Sequence, residues 1–378
     1  MHIRGIARYI VDRMVSRTRE LSQGRNVGSI GLVNEEGHIS HMTPMVDGGL
    51  GGIPLRSLLA KITRMEHRSL IEGMQQLPSN AVFLTTRPGK TGLITDVSGV
   101  DFFGIPIVSI GVKEQGSAGV GLVYPKAEFF DLSTESERLN LETLTVNTMD
   151  AEKEVLRRSH QMELQYLEVG EELPVVDMPE APAVEEASDR QEWNIPRKTV
   201  MALDRELAED LIRRSVEIGQ GREVATMGRV DGEGRVVAWG EIVAGGIGFV
   251  PSRLLASSAV DIKGRSLRYI YSEMVSPDAV IVHTHPGGTG VMHIGDAHAG
   301  PGSWGRPIVA IGHDKDGHIR GATVIEATDD LFRLADEEEH LNIKFFGAKT
   351  PEEEAEIRNR KFGIAQDYTG LCKPIEIN

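Results

Sequence analysis

Two copies of one pattern run through the 378 residues of this chain, so any fold it adopts must be one that can be built twice. Gln23-Gly24-Arg25 matches Gln220-Gly221-Arg222, each triplet lying between an amphipathic helical stretch and a short apolar strand. At the same offset Val46-Asp47-Gly48-Gly49-Leu50-Gly51 falls over Val243-Ala244-Gly245-Gly246-Ile247-Gly248. Pro54 and Arg56 fall over Pro251 and Arg253, and Arg68-Ser69-Leu70 over Arg265-Ser266-Leu267. One inserted residue later Ala81-Val82-Phe83-Leu84 meets Ala279-Val280-Ile281-Val282, and Gly104-Ile105-Pro106-Ile107-Val108 then meets Gly305-Arg306-Pro307-Ile308-Val309. Each copy reads helix, strand, strand, glycine-rich turn, helix, buried strand, loop, strand. Glycines recurring at one place imply a shared backbone constraint. The length also exceeds one typical core, which agrees with two domains.

Between the copies the character changes. From Glu168 to Glu192 nine acidic residues face the single basic Arg190, with Pro174, Pro179 and Pro182 among them. Such a stretch buries too little apolar surface to fold alone. The expected organisation is a first domain over 1–167, an acidic, proline-rich linker over 168–197, and a second domain over 198–378. A helix over Thr148 to Gln165 closes the first domain. Thr350-Pro351-Glu352-Glu353, with its N-cap Thr and Pro at the first helical position, starts a terminal helix of the second.

A formal charge of −15 and a pI near 5.3 argue against general nucleic-acid binding, which needs a basic face. The one cysteine, Cys372, allows no intrachain disulfide and fits a reducing compartment. Met1 to Val15 interleave Arg4, Arg8, Asp12 and Arg13 with apolar positions, and no run of about 20 apolar residues occurs. The expectation is a cytoplasmic protein without a membrane segment.

The chemistry gathers in the second copy. Ala279 to Val282 is a continuous apolar run, expected as a strand buried on both faces, and His283-Thr284-His285-Pro286 follow it. Residues i and i+2 of a strand share a face, so both imidazoles leave the strand end together. The glycine-rich Gly287 to Gly290 turns the chain, and Asp296 arrives eleven residues after His285. Two His and one Asp suit zinc, and three protein ligands leave a position for water. A proton shuttle is expected from Glu241, taken as the end of a strand Val236 to Glu241, where a lone charge in apolar context needs a task or partner.

These residues resemble the JAMM motif of the MPN+ metalloproteases: an upstream Glu, His-Ser/Thr-His-Pro, six residues, then Ser-x-x-Asp. The resemblance covers about Arg222 to Ala327, and the repeat extends it to about Arg25 to Pro125. It implies an α/β fold of tandem duplicated MPN-like α/β/α domains, each a curved mixed sheet flanked by helices. It also implies a zinc isopeptidase hydrolysing an amide bond at a ubiquitin-like modifier or a small peptide conjugate. One position departs from the pattern, because His293 stands where the family has Ser. A neutral His there donates an N–H to a developing oxyanion, or it closes the metal's coordination as a fourth ligand.

In the first copy Thr85-Thr86-Arg87-Pro88 replace the His-x-His-Pro segment, Pro44 falls opposite Glu241, and Ser98 or Asp96 falls near Asp296. Arg87 stays protonated and ligates no metal. This half resembles a degenerate MPN− domain, kept for pairing with its MPN+ neighbour or simply for stability. Two other readings stand beside the hydrolase: a non-catalytic scaffold with a closed or absent metal site, and a DNA-associated relative of the bacterial RadC group, which shares the His-x-His-Pro and Asp pattern. His298 is a candidate for supporting the metal ligands without binding the ion itself, His313 and His318 are expected on the surface of a hairpin, and Trp304 is expected to pack.

Overall fold

The computed structural model describes residues 2–50, 52–92, 98–167, 170–184 and 193–378. It is an α/β protein with two curled, mixed, nine-stranded sheets of the same strand order. In the second sheet the strand Ala279–Pro286 is central. It runs antiparallel to Val224–Val230 and parallel to Ile308–His313, which pairs in turn with Ile319–Ile325. Arg235–Ala238 and Ala202–Leu203 continue the sheet beyond Val224–Val230. The first sheet repeats this with Ala81–Pro88 between Val27–Val33 and Ile107–Lys113, flanked by Gly116–Val123 and by His38–Met42 and Gly5–Ala7.

Both faces of each central strand are covered, as its unbroken apolar run requires. Val280 and Val282 enter a core beneath the amphipathic helix Arg205–Ile218, whose N-cap Asp204 accepts from the Leu207 amide. Ala279 and Ile281 face the opposite core, which runs without interruption into the first half. In the first half Val82 and Leu84 likewise pack under the helix Arg8–Leu21.

The halves meet reciprocally. Gly104 of the first lies against Ser266 of the second, and Gly305 of the second lies against Ser69 of the first. A Cβ at Gly104 would sit 2.6 Å from the Ser266 hydroxyl, and both glycines have positive φ, so neither position accepts a side chain. Phe102 and Trp304 touch across the same contact with centroids 5.2 Å apart, and Trp304 stacks on Tyr271 at 4.1 Å.

The stretch expected as a linker does structural work at both ends. Glu171–Glu172 pairs with Gly116–Val123 at one edge of the first sheet, and Val175–Val176 pairs with Gly5–Ala7 at the other. One short segment therefore joins the two edges of a curled sheet and leaves fewer backbone groups unpaired. Lys373–Pro374 and Glu376–Ile377 do the same for the second sheet. Further along, Ile195 is buried, with its amide on Glu72 of the first half. Composition missed this because four residues of added strand need no core of their own. No helix among the described residues is long and apolar enough to cross a membrane.

Candidate metal centre

His283 and His285 leave the buried strand on one face, as their spacing requires. Their Nε2 atoms lie 2.9 Å apart, and Asp296 Oδ1 stands 3.1 Å from the first and 3.7 Å from the second. A tetrahedron with bonds of about 2.0–2.1 Å has edges of about 3.3 Å, so three atoms at these separations fit around one small divalent ion. The protein also fixes the ligands' orientation. His283 Nδ1 lies 2.9 Å from the Val309 carbonyl, which only accepts, so Nδ1 carries the proton and Nε2 keeps its lone pair. The His293 amide donates to Asp296 Oδ2 at 2.9 Å, leaving Oδ1 for the imidazoles.

Asp296 reaches this point through a tight crossing. The loop after Pro286 passes so close over Ile308–His313 that a Cβ at Gly312 would stand 2.3 Å from the Gly290 nitrogen. Thr323 Oγ1 donates to the Gly290 carbonyl at 2.5 Å and holds the loop down. The neighbouring strand is pinned as well, with the Val224 amide donating to Thr284 Oγ1 at 3.1 Å.

The acid beside the triad is Glu223, and the expectation placed on Glu241 is corrected. The strand that was to carry Glu241 ends at Ala238, and Glu241 is exposed, with its amide on the Ser258 carbonyl. It does not line the cleft around the imidazoles, whereas Glu223 does. Ala225 pairs with His283, so two residues back along the antiparallel ladder Glu223 stands across from His285. The repeat marks Glu223 as well, since it directly follows Gln220-Gly221-Arg222. Nothing local to the sequence says which strand end faces the imidazoles.

The site is a cleft of about 580 Å³ walled by Ile247, Phe249, Val250, Leu255, Ile281 and Ile308 around this polar end. Burial raises the pKa of Glu223, against the opposing pull of His283 and His285. Burial also works against ionisation of Asp296. The hydrogen bonds from His283, His285 and the His293 amide outweigh it and hold that carboxyl well below the usual range. For His285, burial opposes protonation, and Asp296 with Glu223 turns the balance upward.

His293 caps the short helix Ile294–Ala297 and is exposed at the cleft rim. The group of donors that converge closely enough to share an ion comprises His283, His285 and Asp296, without His293. His298 sits two residues beyond Asp296, with Nε2 2.9 Å from Glu338 and 3.1 Å from the Tyr368 hydroxyl of the terminal helix Pro351–Gly370. A second group, Asp314, Asp316 and His318, lies on an exposed turn. There Asp314 already accepts from the Asp316 and His318 amides, as a turn-forming Asp does. His313 is buried, contrary to its expected surface position, because its ring reaches inward to Ser215 Oγ at 3.0 Å.

In the first half the equivalent cleft holds Thr85 and Arg87 on the strand and Asn26 in place of Glu223. Asp96, one candidate for the place of Asp296, lies outside the described residues, and Ser98 begins the helix Ser98–Phe103. No protein-family model, curated protein or solved structure matches this chain.

Proposed function

We propose that the chain is a zinc-dependent (iso)peptidase of the JAMM type, hydrolysing the amide that joins a ubiquitin-like modifier or small peptide to its conjugate. The observation that carries this reading is the convergence of His283 Nε2, His285 Nε2 and Asp296 Oδ1 at one end of a cleft that also receives Glu223. His283, His285 and Asp296 would hold the ion, which would supply polarisation of a carbonyl and a bound water with its pKa lowered to about 7.

The chain's own residues do the rest. Glu223, across the ladder from His285, takes the proton released by the attacking water and passes it to the leaving nitrogen. His293, at the rim, donates an N–H towards the oxygen that becomes negative. Ile247 and Phe249 stand exposed beside the cleft, where they grip apolar residues flanking the amide and, once covered by them, keep bulk water out. The first half, lacking the ligands, serves as the MPN−-like partner packed within the same chain. A scaffold with a closed metal site is the weaker reading, because the His293 ring stands outside the converging group.

The test is metal analysis of the purified protein together with hydrolysis of a panel of modifier C-terminal conjugates. The expected result is about one divalent ion per chain, lost in His283→Ala, and cleavage that stops on chelation. A protein without bound metal sinks the proposal outright. Bound metal without cleavage of any amide sinks the hydrolase and leaves the scaffold.

A further inference from the structure

The first half has a cleft of about 600 Å³ where the second half has its metal cleft. Gly28 pairs with Thr85, so Asn26 stands across from Arg87 as Glu223 stands across from His285. An amide and a guanidinium thus replace a carboxylate and an imidazole. The polar end changes from a place that attracts a cation into a place that is one.

Arg87 is half-buried, and among the described residues no carboxylate pairs with it. A guanidinium held in a partly dry cleft is costly without a counter-charge. Among the described residues that line the cleft, the two carboxylates, Asp101 and Glu137, are already engaged across the interface. Asp101 takes Arg253 Nη1 and the Leu267 amide, and Glu137 takes the Arg253 and Leu254 amides at 3.3 and 3.0 Å. The remaining wall is largely apolar, formed by Ile53, Phe83, Phe102 and Ile107.

We propose that this cleft is a binding site for a carboxylate attached to an apolar group, either a small free acid or the C-terminus of a peptide chain. The carboxylate oxygens accept two parallel N–H bonds from Arg87, the geometry in which guanidinium and carboxylate match best, and the Asn26 amide donates beside them. The apolar group lies against Phe83 and Ile53. This site stands whether or not the second half hydrolyses anything.

The test is calorimetric titration of the full chain with N-acetyl-leucine and with its amide, which differ in charge and little in shape. The acid is expected to bind, and the amide at least about tenfold more weakly, as the loss of a charged hydrogen-bond pair requires. Arg87→Gln should weaken the acid by the same factor, whereas His283→Ala, which damages only the metal cleft, should leave it unchanged. An acetylated pentapeptide ending in leucine separates the sources: tighter binding than N-acetyl-leucine assigns a chain end, and equal binding assigns a small acid. Equal affinity for acid and amide, no binding of either in the millimolar range, or a loss that follows His283 instead of Arg87 overturns the proposal. The acid–amide comparison on the unaltered protein keeps it falsifiable even where a variant fails to fold.

Discussion

Arg56 and Arg253 occupy the same position in the two halves, and each reaches out of its own half to the long helix that follows the other's sheet. Arg56 Nε donates to Asp336 at 2.6 Å, and Arg253 Nε donates to Thr134 at 2.8 Å. The backbone beside each arginine repeats the exchange. Glu339 accepts from the Arg56 and Ser57 amides, and Glu137 accepts from those of Arg253 and Leu254. One patch thus meets its own counterpart, as at the twofold interface of a homodimer, within a single chain.

The symmetry is imperfect in its energetics. Arg253 and Asp101 are both almost wholly buried, whereas Asp336 is 47% exposed beside Arg56. Above pH 7, where Asp101 is ionised beside Arg253, replacing Arg253 with Ala strips a buried carboxyl of its cation, so that it must take up a proton or stay charged without a partner, and is expected to cost about 3–5 kcal/mol. Arg56→Ala should cost clearly less, because water reaches the partner it abandons. Denaturant unfolding of the two variants measures the ranking, and equal losses would contradict it.

Stability should also depend on pH through Asp101. Burial raises its carboxyl to about 7 from the ordinary 3.8, against the pull of Arg253. Between those values the folded protein keeps the proton that the unfolded chain has released, so the unfolded state binds fewer. Stability therefore falls as pH rises through this window, by at most about 1.4 kcal/mol per pH unit, and the slope vanishes above the folded value. Asp101→Asn removes the slope. A variant whose unfolding midpoint keeps the parent's pH profile between those limits would count against this account.

If the second half hydrolyses amides, Glu223→Gln should lower kcat by about 10²- to 10⁴-fold while metal content stays unchanged. Glu241→Gln should leave both as they are, since Glu241 is exposed and does not line the cleft. Steady-state rates beside metal analysis distinguish the two acids, and the opposite pattern would restore Glu241.

Metal removal should lower the melting temperature without unfolding the chain, because the cores on both faces of Ala279–Pro286 do not depend on the ion. At a free metal concentration of about 100 times Kd, binding to the folded state alone adds about 2.7 kcal/mol. Calorimetry with and without chelator reads the shift, and His283→Ala should abolish it. A shift that persists in that variant would place the ion elsewhere.

Much of this was legible in the chain. The offset matches predict one topology built twice, and the two sheets share one strand order. The alternation of His283 and His285 after an apolar run is a local, period-two signal, so their common face follows without any tertiary information. Asp296 was within reach because an eleven-residue return is short and glycine-rich.

Chain order alone could not say which acid faces those imidazoles, because that depends on the register between Val224–Val230 and Ala279–Pro286, strands far apart in sequence. The same holds for Glu171 to Val176, part of an acidic, proline-rich stretch and yet paired at both edges of a curled sheet. It holds also for His313, drawn inward by Ser215 almost a hundred positions away. Periodicity and turn chemistry act over a few residues and are written into the sequence. Pairing across a sheet is settled only when the whole chain has closed and each strand has found the neighbour that satisfies its backbone.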